Sequence, residues 1–215
     1  EQYPEIATII RQCMGLGFRS YILADPALIC YLRQEHIACE IHLSGESAEV
    51  NNRMFFVFQR QQIQRLIFHR KNSFDDMRRV VQAGHGEEFE AFVLNELCHF
   101  TGAFCRVPYR LEPEERRERA EDRSTSEQLP WAEDGYLCGA TGCGLCALYQ
   151  LREAGISHLK LVGRGNYADY MERDICNLKR ALTLLEESGS EADYREKMKR
   201  ELFPKGCSGN CYYRE

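Results

Sequence analysis

The 215-residue chain has no apolar run long enough to span a bilayer, and no basic start with a short apolar stretch and a small-residue cleavage site opens it. Export and membrane insertion are therefore not expected, and a cytoplasmic location is. There is no excess of positive charge either. With 28 Lys and Arg against 33 Asp and Glu, the formal net charge is −5, which argues against a broad nucleic-acid-binding face but leaves room for a local basic pocket. No HExxH stretch is present, so a zinc protease of that type is not expected. The first residue is Glu1 rather than Met, so a preceding piece is expected to be absent from this chain.

Cysteine is abundant: eleven, an odd number in a chain too large to need stapling. A disulfide scaffold is the weaker explanation for that count. Cys13, Cys30 and Cys176 fall on apolar faces of helical patterns and read as core. The others cluster as Cys98/Cys105, Cys138/Cys143/Cys146 and Cys207/Cys211. Thiolates suit zinc and iron–sulfur clusters, and short spacing lets one loop supply two ligands. The stretch LCGATGCGLCAL at 137–148 is thus a metal cradle or a redox dithiol, and spacing alone does not separate these. CSGNC at 207–211 is a further ligand pair, a disulfide or a plain tail.

Strand and helix signals alternate along the chain. Strands are predicted at 18–24, 39–44, 65–69, 89–94 and 158–163. Helices are predicted at 4–14, from Asp25-Pro26 to Leu32, from Asn51 to Gln62, from Ser73 to Val81, at 145–154 and over 167–187. In the last of these, Met171, Ile175, Leu178 and Leu182 are expected to share the buried face. The pattern predicts an α/β fold of parallel βα units with right-handed crossovers. Five strands do not close an eight-stranded barrel, so over 1–187 the chain reads either as an open sheet or as the later part of a TIM-like (β/α) barrel whose first strands lie outside it, and the family resemblance given below implies the barrel. A charged insertion occupies 106–134, and 188–215 reads as a C-terminal tail. Within the insertion, LEPEERRERAEDRSTSEQ at 111–128 is a solvated loop or a lid.

Chemistry in such folds gathers at the C-terminal strand ends. That places His42, Ser44, His69, Arg70, Asn95, Glu96 and Arg164 around a basic pocket suited to an anionic or polar ligand. Each alone is more often a capping or packing residue; their recurrence at strand ends is the signal. Ser44 and His42 are the one near pair a serine peptidase could use.

The segments IHLSGESAEVNN, RLIFHRKNSFDDM, EFEAFVLNELCHFTGAFC and LCALYQLREAGISHLKLVGR stand in an order that resembles the peptidase U32, or collagenase-like peptidase, family. The resemblance runs from about residue 16 to 180. It implies a barrel-like catalytic domain and, as in several members, a four-iron four-sulfur cluster serving oxygen-independent hydroxylation of RNA or of a small aromatic ring. Carried over by position, Cys98, Cys105, Cys143 and Cys146 are the ligands, with Cys138 the alternative to Cys143 and zinc the alternative metal. His42, His69, Arg70 and Arg164 become the catalytic set; Ser44, Asn51, Asn95 and Glu96 face the substrate. The implied partners are a small-molecule or RNA-base substrate and a paired family subunit. Asn95-Glu96 before the first cysteine, Lys71 and Val162 depart from the family pattern and put the substrate and the reaction in question. Proteolysis, as the family name has it, and a metal-stabilised binding role without catalysis are the other two classes.

Overall fold

The computed structural model describes residues 2–95, 134–163 and 166–213. Cys98, Cys105, Glu96, Arg164 and the 111–128 stretch lie outside the described residues. Helix α1 (Tyr3–Gly15) precedes four βα units and a fifth strand. These are β1 (Ser20–Leu23), α2 (Pro26–Gln34), β2 (Glu40–Leu43), α3 (Asn52–Gln59), β3 (Arg65–Ile67), α4 (Phe74–Gln82) and β4 (Glu88–Leu94). A 3-10 turn (Leu145–Ala147) leads into α5 (Leu148–Glu153) and β5 (His158–Leu161), followed by α6 (Ala168–Glu186) and α7 (Glu191–Glu201).

The helix starts follow from local chemistry. Asp25 accepts from the Ala27 N–H, Asn51 from Arg53 and Met54, and Ser73 from Asp76, each supplying an acceptor to otherwise unpaired first-turn donors. Helix α3 stops at Gln59, earlier than expected, because the chain turns there and Gln62 takes a positive φ of 53°. Arg33 fastens this corner by donating to the carbonyls of Gln61 at 2.7 Å and Gln62 at 2.9 Å.

All five strands are parallel and lie in sequence order, β1-β2-β3-β4-β5. Strands added one after another in one direction, with crossovers of one hand, put their helices on a single face, as in the wall of a TIM-like barrel. The packing agrees. Ile41, Leu43, Leu66, Phe89, Ala91 and Val93 join one core with buried residues of every helix. The alternate positions face the other way: Ile67 and Phe92 pack with Tyr212, and His42, Arg65, Glu90 and Lys160 form a polar ladder. In that ladder Arg65 pairs with Glu88 at 2.6 Å and Glu90 at 2.9 Å. The α/β class and the parallel βα units expected from sequence are the fold.

Two expectations change. The 188–215 stretch is more than a tail: α7 buries Tyr194 and Met198 completely, and the Tyr194 hydroxyl donates to the Leu145 carbonyl at 2.7 Å. The apolar periodicity of 191–201 is too sparse to announce this helix. In α6 the core face is Asp174, Leu178, Ala181 and Leu185, while Ile175 is exposed. Buried Asp174 turns the helix, because its carboxylate accepts from Asn95 Nδ2 and the Tyr136 hydroxyl, both at 2.8 Å. Among the cysteines read as core, Cys13 and Cys30 are half-buried and Cys176 is exposed on the turned helix.

Candidate functional site at the C-terminal strand ends

Beyond β3 the chain runs directly into His69, Arg70 and Asn72, all buried. Asn72 holds this turn by accepting the His69 N–H at 3.2 Å and donating to the Val50 carbonyl at 3.1 Å. The Lys71 N–H donates to His69 Nδ1 at 3.1 Å, so the ring proton sits on Nε2, a buried atom with no hydrogen-bond partner. Burial drives the His69 pKa below its ordinary value, which favours the neutral ring. Arg70 pairs with Glu46 at 2.9 Å, and its guanidinium lies 3.8 Å from the Phe92 ring centroid and 5.9 Å from that of Tyr212. Gly45 lets the loop after β2 pass this point, since a Cβ there would stand 2.9 Å from the Phe68 carbonyl oxygen.

The end of β4 is irregular. Its register against β5 shifts between Phe92 and Leu94, and Asn95 follows with φ of 69°, a conformation asparagine tolerates. The Asn95 N–H donates to the Gly142 carbonyl at 2.9 Å, and Gly144 N–H donates to Val93 at 2.7 Å. This draws the glycine-rich loop alongside β4 and bridges Cys143 to Leu94. On its other side Cys143 bridges Cys211 of the C-terminal segment. The Tyr212 hydroxyl then donates to the Asn95 carbonyl, and the Tyr213 hydroxyl to Phe92 at 2.9 Å.

The glycine-rich loop and the C-terminal segment carry five cysteines, of which Cys143 and Cys211 pair through the backbone. Cys143 lies within electrostatic reach of Cys138, Cys146 and Cys211, and Cys146 within reach of Cys207 and Cys211. Burial raises all three thiols of the glycine-rich loop; Cys138 is pushed up to about 11. The Leu145 N–H hydrogen-bonds the Cys143 sulfur, a bond that favours thiolate. Burial, and then the Asp174 charge, favour the neutral thiol of Cys138. Thiols on short loops are the donors that iron–sulfur clusters and zinc take where four of them converge. Among the described residues, no group of three or more His, Cys, Asp or Glu side chains is placed to hold a metal ion.

Other sequence-derived positions fall apart from this centre. His42 is level with Arg65, the first residue of β3, about 13 Å along the strand direction from His69 at the usual rise per residue. Its Nε2 pairs with Glu40 at 2.7 Å. Ser44 Oγ accepts the Glu46 N–H at 3.2 Å, Asn51 is spent on capping α3, and Asn95 on Asp174. Glu46, Tyr212 and Tyr213 were not singled out from sequence; the aromatic pair directly after Cys-x3-Cys was the available signal.

The fold and these strand ends define a TIM-like parallel βα protein with a cysteine- and glycine-rich loop docked on the end of β4. The sequence model of peptidase family U32 matches residues 1–103 and again 102–214, and the chain belongs to that family. No curated protein and no solved structure matches the chain. No described helix is long and apolar enough to cross a membrane.

Proposed function

We propose that this U32 protein carries a four-iron four-sulfur cluster and acts in oxygen-independent hydroxylation of an RNA base or a small aromatic molecule. The observation that supports this reading is the docking of Cys143 on the end of β4 at Leu94 and on the C-terminal segment, where the Tyr212 N–H donates to its carbonyl and the Tyr212 ring lies 5.9 Å from the Arg70 guanidinium. The resemblance adds Cys98 and Cys105 as ligands, and Arg164 as a further substrate contact. A bound cluster would supply one-electron transfer or an open iron position. The chain's own residues bind and orient. Arg70, buried over the Phe92 ring and paired with Glu46, would take an anionic ligand in exchange for that carboxylate. Neutral His69 holds a proton at Nε2 that it can donate. A paired family subunit and an RNA substrate would have to engage this end of the sheet.

Anaerobic purification tests the reading. The expected product is brown, with about four irons and four sulfides per chain, and RNA co-expressed with it gains a nucleoside heavier by one oxygen that is absent with Arg70→Ala. A colourless, iron-free protein sinks the proposal. Proteolysis ranks below it because His42 is turned to Glu40 and Ser44 to the Glu46 N–H. Peptide hydrolysis abolished by Ser44→Ala would reverse that ranking.

A further inference from the structure

Strand β1 stands at the end of the sheet: among the described residues it pairs with β2 alone. The Arg19 and Leu23 carbonyls accept from the N–H groups of Glu40 and Ser44. A parallel ladder alternates, so residues 19, 21 and 23 turn their backbone groups toward β2, while Ser20, Ile22 and Ala24 turn theirs outward. Natural edge strands usually carry Lys, Pro or a bulge that blocks further pairing. Ser20–Leu23 carries none of these and keeps an unbroken register. Its flank is apolar as well: Ile22 is 55% exposed, and Phe18, just before the strand, is 63% exposed.

The pattern along this edge is self-complementary. Two copies related by a two-fold axis meet antiparallel, and outward backbone groups must then face outward groups. With Ile22 on the axis, Ser20 lies opposite Ala24 and Arg19 opposite Asp25, each twice. With Tyr21 on the axis, Arg19 would lie opposite Leu23 and the charge match would be lost. The Asp25 carboxylate is held at the strand end by the Ala27 N–H at 2.9 Å and the Tyr3 hydroxyl at 2.7 Å, with lone pairs to spare. The Ala24 carbonyl, which accepts from Ser47 Oγ, likewise keeps a second lone pair.

We propose that β1 is a self-association surface, through which two copies of this chain join edge to edge, antiparallel, so that their five-stranded sheets become one. Main-chain bonds of Ser20 and Ile22 carry the contact, the two Ile22 side chains meet at the axis, and the Arg19–Asp25 pairs fix the register. Because the strands run in opposite directions, the two candidate sites point away from each other. The inference does not depend on a cluster or on any reaction.

Sedimentation velocity of the full chain over a range of concentrations provides the test. The expected result is a monomer–dimer equilibrium in wild type that Ile22→Lys abolishes. Arg19→Asp, which sets like charges opposite each other, should weaken it roughly tenfold. Both side chains are exposed, so matching circular dichroism spectra should show that the variants keep the fold. Ile22→Cys supplies a readout that needs no loss of binding. Hydrogen-bonded antiparallel partners stand about 5.5 Å apart at Cα, within disulfide reach. A thiol oxidant should therefore link two copies of that variant through position 22, identified by peptide mass spectrometry. A wild type that stays monomeric at every concentration overturns the inference, and so does a dimer that survives Ile22→Lys. A dimer indifferent to Arg19→Asp, or one that forms no link through position 22, refutes the antiparallel pairing and the proposal with it.

Discussion

His69 shows how a single side chain is committed by its surroundings. Burial lowers its pKa from the ordinary 6.5, because a charged ring loses its water. The unfolded chain therefore takes up this proton first as pH falls. The His69 contribution is intact above the unfolded pKa and is lost as pH drops through it toward the lower folded value. Urea midpoints should accordingly fall between about pH 7.5 and pH 5.5, and fall less in His69→Gln; identical slopes would refute the assignment. Arg70→Met keeps an apolar stem against Phe92 but leaves Glu46 without its partner. A loss of roughly 1–3 kcal/mol is expected, measured by the same denaturation. Both positions were legible in sequence as polar residues closing an apolar strand. His42 and Asn51 carried the same signal, but their partners, Glu40 and the first turn of α3, are decided by side-chain direction and register.

Among the elements, β4 and the C-terminal segment matter most to the site. The shifted register at the end of β4 and the positive φ of Asn95 open a slot that the glycine-rich loop fills, and the segment 207–213 closes over it. Gly142 is where this fit is tightest. Its φ of 149° disfavours any side chain, and a Cβ there would collide with the Tyr212 ring. Gly142→Ala should therefore undock the tail at a cost of roughly 1–3 kcal/mol. Limited proteolysis should then cut after Lys205 faster than in wild type; unchanged cleavage would show that the tail does not depend on this contact. The capped helices were legible because each signal is local: Asp25-Pro26, Asn51 and Ser73 act within three residues. Helix α7 was not, because it is held by Tyr194 and Met198 packing into a core assembled from distant segments.

The described strands form one sheet, although the family model matches the chain in two halves. The junction near residue 102 falls between β4 and β5, which pair directly, Glu90 with His158 through Leu94 with Leu161. The core likewise joins α1 to α7 without a break. Cutting there would strip β4 of its neighbour and expose Phe89, Ala91 and Val93 on its helix-facing side. Residues 1–103 expressed alone should therefore lack a cooperative thermal transition by circular dichroism; a sharp one would show that the halves fold independently.

Sequence by itself determined the α/β class, the parallel βα alternation, the helix starts and the clustering of cysteines, because periodicity, caps and short spacing are properties of neighbouring residues. Tertiary structure alone decided that Cys211 faces Cys143, that burial and the Asp174 charge favour the neutral thiol of Cys138, and that His42 stands away from His69. Those outcomes depend on strand register and on which loop the irregular end of β4 accepts, and both are set by contacts between segments far apart in the chain.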